Sequence, residues 1–178
     1  MKNINYEIIK NLGIEKNMSY NVANYAKSLA VEIGLNDNFV DTIYTCGLLH
    51  DFGKNRIPKN ILNKNGPLNN DEWDIMKTHT IAGYILLQNS KYKKASLVAL
   101  THHEKWDGSG YPFGLKKNDI PLESKIISVV DVFDALLSKR AYKESWELDR
   151  VVDYMMKERE LHFDPDVLDI FLKKLPSC

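Results

Sequence analysis

The sequence predicts an all-α fold, and three observations carry that reading. Apolar residues recur at helical spacing along nearly the whole chain. No stretch alternates apolar and polar residues as a half-buried strand does. The dense clusters of glycine, proline and asparagine fall between the helical stretches. Ser19 is a candidate cap for a first helix whose stripe is Val22, Tyr25/Ala26, Leu29 and Ile33, stopped at Gly34. A second helix starts near Asp37, carries Val40, Ile43/Tyr44, Gly47 and Leu48, and runs through His50-Asp51 to about Gly53. Residues 54–70, with two prolines and six asparagines, read as a loop. Asn69 with Glu72 forms a capping-box pair opening a third helix, which sets Met76, His79, Gly83 and Leu86 on one face. A fourth covers about 92–104. WDGSGYPFG, from Trp106, then has to be loop. Pro121 begins a fifth helix with Leu122, Ile126, Val129/Val130, Phe133 and Leu137 inward. Amphipathic stretches near 146–160 and 165–174 complete a bundle of about seven helices.

At 178 residues and 44% hydrophobic, the chain is long enough for one domain with a proper core, and no internal boundary or repeat is visible. The expectation is a single domain over 1–178. Twenty-four basic residues against 24 acidic ones give no net charge, which argues against binding a DNA or RNA polymer through a broad basic field. An anionic ligand has to be met by a local cluster. The absence of a long apolar run or a signal-peptide core points away from the membrane and from export. Two cysteines, Cys46 and Cys178, do not make a disulfide framework, so a cytoplasmic location is expected.

The informative residues are polar groups set into apolar helix faces. Asp131 lies inside IISVVDVFDALL, His50-Asp51 follows CGLL, His79 shares a stripe with Met76 and Gly83, and His102-His103 precede the glycine loop. A lone buried histidine is usually a hydrogen-bonded core residue, and a lone mid-helix aspartate usually pairs with a lysine or arginine. Four of the five histidines and two carboxylates at inward positions are a different matter. Unpaired buried carboxylates cost several kcal/mol, and imidazole with carboxylate is the donor set of a divalent transition metal. Lack of cysteine ligands argues against a structural zinc site. A shared carboxylate such as Asp51 can bridge two metals, an arrangement suited to phosphodiester hydrolysis, although the donors alone leave an oxygenase or a metal store open.

HDFGK, from His50 to Lys54, resembles the motif of HD-domain metal-dependent phosphohydrolases. HHEKWDGSGYP (His102–Pro112) and DVFDALLSKRAYK (Asp131–Lys143) resemble later blocks of the HD-GYP subfamily, and KNGPLNNDEWDIMKTH has its spacing ahead of His79. The resemblance covers about residues 18–172. It implies a helical bundle of the HD-domain type with a metal site between helices, holding two divalent metal ions, iron or manganese. The implied activity is hydrolysis of the bacterial second messenger cyclic di-GMP to the linear dinucleotide and on to GMP. Residue by residue, it implies His50, Asp51, His79, His102, His103 and Asp131 as metal ligands and Lys54 near the scissile phosphate, with Lys54 and Asp51 the catalytic pair. Tyr111, Gly110, Arg140 and Lys143 are then the substrate contacts. The residue chemistry agrees: Arg140 can grip phosphate oxygens bidentately, and Lys143 follows on the same helical face. Gly108 and Gly110 offer φ freedom for the loop, while Glu104 and Asp107 are candidates to orient the ligand histidines.

The sequence departs from the pattern once. Where the family usually places a first-helix histidine, four residues before Val22, this chain has Met18; the acidic position one turn earlier is Ile14, beside Glu15. Thioether is a poor ligand for iron or manganese. The metal relying on that position is therefore expected to be weakly held, and a cyclic-dinucleotide receptor that cleaves slowly competes with an active phosphodiesterase. A general mononucleotide phosphohydrolase is a third reading, with the GYP block and the Arg140/Lys143 pair against it. A homodimer or an upstream sensory partner is compatible with either leading reading.

Overall fold

A computed structural model describes residues 16–138 and 145–175, with side chains from Ser19 onward. Among the described residues it is helical throughout, with one isolated bridge between Arg159 and Phe163 and no strand. The helices are α1 (Lys16–Glu32), α2 (Asp37–Leu49), α3 (Lys59–Leu62), α4 (Asn70–Lys77), α5 (His79–Leu87), α6 (Lys93–Thr101), α7 (Leu122–Leu137), α8 (Leu148–Lys157) and α9 (Pro165–Lys173).

The core forms where the predicted stripes meet. Val22, Ala26 and Leu29 of α1 pack with Val40, Ile43 and Leu48 of α2 and with Ile126, Val129, Val130 and Phe133 of α7. Tyr25, expected on the stripe, is instead at its exposed edge. The α1–α2 contact is close because Gly47 has no Cβ: one built there would come 2.6 Å from Ala23 Cα. Asn36 caps α2, accepting the Phe39 N–H at 3.0 Å.

Three differences from the expected elements matter. The first helix starts before Ser19, which lies buried within α1 rather than capping it. The second ends at Leu49, and the chain turns through a 3-10 segment, Phe52–Arg56, before the one-turn α3. The third is two helices, broken at Thr78, so the predicted stripe does not run through: Leu87, not Leu86, is buried. The Asn69–Glu72 capping box is present at the start of α4. No described helix is long and apolar enough to cross a membrane.

Candidate metal centre

Helix ends deliver most of the predicted polar residues to one place. His50 and Asp51 follow the last turn of α2, His79 opens α5, His102-His103 follow α6, and Asp131 projects from the middle of α7. Gly53 makes this convergence possible. A Cβ there would fall 1.8 Å from the His79 carbonyl oxygen, so only glycine lets the Asp51 turn lie against the start of α5.

Three imidazoles are oriented the same way. The Nδ1–H of His50 donates to the Gly47 carbonyl at 2.7 Å, and that of His79 to the Met76 carbonyl at 2.7 Å. The Nδ1–H of His102 is shared between the Val98 and Ala99 carbonyls at 3.0 and 3.1 Å. A carbonyl can only accept, so each Nε2 is turned inward. These Nε2 atoms meet Asp51. Its Oδ1 lies 3.4 Å from His79 Nε2 and 3.7 Å from His102 Nε2, while Oδ2 lies 3.3 Å from His50 Nε2. Asp131 Oδ1 approaches the same His50 Nε2 at 3.6 Å. Asp51 Oδ1 and the three Nε2 atoms are buried without a hydrogen-bond partner among the described residues.

Donor atoms of Asp51, His79, His102 and His103 all lie within 4.8 Å of one another, a group that could hold a metal ion. Lone pairs facing one another in a buried space repel unless a cation lies between them, and this donor set of nitrogen and oxygen suits a divalent transition metal. The residues fit the group that the sequence implies. Asp51 offers one oxygen to the His79/His102 side and the other to the His50/Asp131 side.

The electrostatics differ across the cluster. Burial opposes charge on His50, but the Asp51 and Asp131 carboxylates outweigh it and push its pKa up to about 10. Burial likewise opposes ionisation of Asp51, yet the Lys54 ammonium and His50 hold its carboxyl well below the usual range. Asp131, half-buried, is held low by His50. His79 has lost basicity to burial, with a pKa of about 4, and His103 is lowered by burial and by its neighbour His102. The Lys54 Nζ donates to Asp51 Oδ2 at 2.6 Å, a contact set by the turn that brings the Lys54 N–H onto the Asp51 carbonyl.

The glycine loop covers the His103 side. The Tyr111 ring stacks on His103 with centroids 4.8 Å apart, and burial together with Asp51 and Asp131 raises its phenol pKa, so the hydroxyl stays neutral. Gly108 has φ +84°, as expected, but Gly110 is needed for a different reason: a Cβ would meet the Lys105 nitrogen at 2.4 Å. Glu104 does not orient the histidines. It is buried, and its carboxylate accepts the N–H groups of Phe113 at 2.8 Å and Leu115 at 3.0 Å, which fastens the loop. Asp107 is exposed and accepts the Ser109 N–H within its own turn. The signal for Glu104 was present: an acid directly before a glycine loop whose N–H groups need acceptors. Arg140, Lys143, Ile14 and Glu15 lie outside the described residues, as does the Met18 side chain.

Comparison with known proteins gives a consistent picture. The HD domain family model matches residues 4–167. The cyclic di-GMP phosphodiesterase response regulator RpfG of Xanthomonas campestris pv. campestris is 44% identical over 155 residues, covering 85% of this chain and 41% of the relative. The 3'3'-cGAMP-specific phosphodiesterase 2 of Vibrio cholerae is 42% identical over 155 residues, covering 85% and 30%. The chain thus spans less than half the length of these curated relatives. Among solved structures, an HDG"Y"P protein of Bdellovibrio bacteriovorus superposes with a TM-score of 0.72 at 20% identity, over 88% of this chain and 50% of that one. The HD domain of the phosphodiesterase PgpH from L. monocytogenes, in complex with cyclic-di-AMP, gives 0.67 at 20% identity over 95% and 91%. At such identities these two likenesses speak to the helical fold.

Proposed function

This chain belongs to the HD domain family, as the HD-GYP resemblance implied, and from that premise we propose that it is a metal-dependent phosphodiesterase hydrolysing cyclic di-GMP. The product is the linear dinucleotide, GMP, or both. The observation that carries this reading is Asp51, whose two oxygens face two separate sets of donors. On this reading two divalent ions, iron or manganese, are held by His79, His102, His103 and Asp51 on one side and by His50, Asp131 and Asp51 on the other. When bound, such a pair supplies Lewis acidity to phosphoryl oxygens and lowers the pKa of nearby water.

The chain's own residues do the rest. Lys54, already on Asp51, is close enough to add positive charge where a phosphate would gather negative charge. The neutral Tyr111 hydroxyl can donate to the substrate, and Gly110 lets the loop bearing it lie flat against residues 104–105. Arg140 and Lys143 are the proposed phosphate contacts on the strength of the sequence blocks. A cytoplasmic site of action, and a homodimer or upstream sensory partner as regulator, belong to the same proposal.

Anaerobically prepared protein loaded with iron or manganese, incubated with cyclic di-GMP, is expected to yield linear dinucleotide or GMP. Metal-loaded protein without turnover would overturn the phosphodiesterase reading. One observation, Met18 in place of the first-helix histidine, favours a second reading, a receptor that binds the dinucleotide and cleaves it slowly. Tight binding with negligible product is its signature.

A further inference from the structure

Helix α4 buries none of its residues, yet it carries a tryptophan. Trp73 is 47% exposed. Its ring contact is Tyr111, edge-to-face at 6.3 Å and 80°, and Tyr111 in turn stacks on His103 of the candidate metal centre. The aromatic series therefore runs outward from the cluster and ends in an indole that fills no core.

The helix is nevertheless held in place. The Asn69–Glu72 capping box fixes its start, the Lys64 ammonium donates to Glu72 at 2.5 Å, and its end runs through Thr78 directly into His79. A large aromatic side chain left half in water on a fixed element has lost the burial that usually retains tryptophan. An edge-to-face pair with Tyr111 occupies at most one side of the indole, so another planar group can lie against what remains.

We propose that Trp73 is a nucleobase platform at the mouth of the metal centre, stacking one base of the cyclic dinucleotide while its phosphate meets the metals. The inference rests on the phosphodiesterase reading and extends it from the reacting phosphate to the base. Stacking uses the π-face that every base has, so Trp73 contributes affinity without choosing guanine over adenine. Neighbouring hydrogen-bonding groups must supply that choice.

The test uses metal-loaded wild type, Trp73→Ala and Trp73→Phe, with Kd and KM for cyclic di-GMP and inhibition by inorganic phosphate, which has no base. Loss of one stacking contact predicts a Kd or KM higher by roughly 5- to 100-fold in Trp73→Ala. Trp73→Phe should recover most of it, and the phosphate inhibition constant should not change. Because the residue is exposed on a helix with nothing buried, both variants are expected to melt like wild type. Unchanged dinucleotide affinity in Trp73→Ala overturns the platform alone, as does an equal loss for phosphate. Wild-type protein that neither binds nor cleaves cyclic di-GMP overturns the phosphodiesterase reading and the platform with it.

Discussion

The two sides of the candidate metal centre are made of similar residues and behave differently. On the His79/His103 side, burial has stripped the imidazoles of basicity, and their lone pairs are free at neutral pH. On the His50/Asp131 side, one imidazole lies between two carboxylates and holds its proton up to about pH 10. Charge, not ligand type, separates them. A cation entering the first side meets the neutral His79 and His103; one entering the second has to displace a proton from His50. On the proposed assignment, the metal of this second side is also the one expected to miss a first-helix histidine, since the chain carries Met18 at that position.

The sharpest way to break this division is Asp51→Asn, because Asp51 is the one residue common to both sides. The amide keeps the shape but loses the charge shared between the two donor sets. Turnover is expected to fall by at least about 10²–10³-fold, the scale seen when one charge-stabilising group is removed, with metal content falling on both sides. Loss of a single metal equivalent would mean that Asp51 serves only one side.

Titration of metal binding comes next. Between pH 6 and 8 His50 is protonated without metal, so binding on its side expels a proton and affinity should rise about tenfold per pH unit. Asp51 and Asp131 stay ionised throughout and add no slope. His79, with its pKa near 4, and His103, also lowered, are already neutral and add no slope on their side. Two sites with equal slopes, followed by calorimetry in buffers of different ionisation heat, would erase the distinction.

Gly53→Ala probes the seam between the sides. The added methyl would press on the His79 carbonyl and force α5 away from the Asp51 turn. A loss of ~1–3 kcal/mol in urea denaturation is expected, the usual cost of overpacking, with weaker metal retention by His79 than by His50. An unchanged midpoint would show that the seam can relax.

Much of this centre was legible in the sequence because its residues break the helical pattern. Asp131 among isoleucines and valines, and His50-Asp51 after CGLL, need compensation wherever the helices pack, and convergence is the economical answer. The core faces of α1, α2 and α7 were legible for the complementary reason, that their stripes are unbroken. The break at Thr78 was not. At the break the Thr78 hydroxyl donates to the Ile75 carbonyl at 2.6 Å, a local bond that many unbroken helices also carry and that therefore gives no sequence signal. The need for Gly110 is not legible as φ freedom, since it is set by residues 104–105 lying against it and not by its own φ. Trp73 carries no sequence signal of its own, because an aromatic in an amphipathic stretch reads as core and only the packing shows that its helix buries nothing.

The smallest expected effect concerns the loop, and it separates two roles for Glu104. As an orienting group for the histidines, it would change metal content when altered. As a loop fastener, it would change how substrate is held while leaving the metals alone. The contacts favour the second, since both carboxylate oxygens take backbone N–H groups, from Phe113 and Leu115. Glu104→Gln keeps one acceptor oxygen and turns an NH2 group toward the other N–H, so one contact is lost and a donor faces a donor. A penalty of ~1–3 kcal/mol for the unsatisfied group would be absorbed largely by loosening of residues 111–115. Tyr111 would then sit less firmly on His103, and KM for the dinucleotide should rise several-fold while kcat and both metal equivalents remain. His50 and Asp131, on the far side of Asp51, should not register the change, and the proton-linked slope of that side should be identical in the variant. A fall in metal content on the His102/His103 side would reverse the assignment and make Glu104 part of the cluster's support after all.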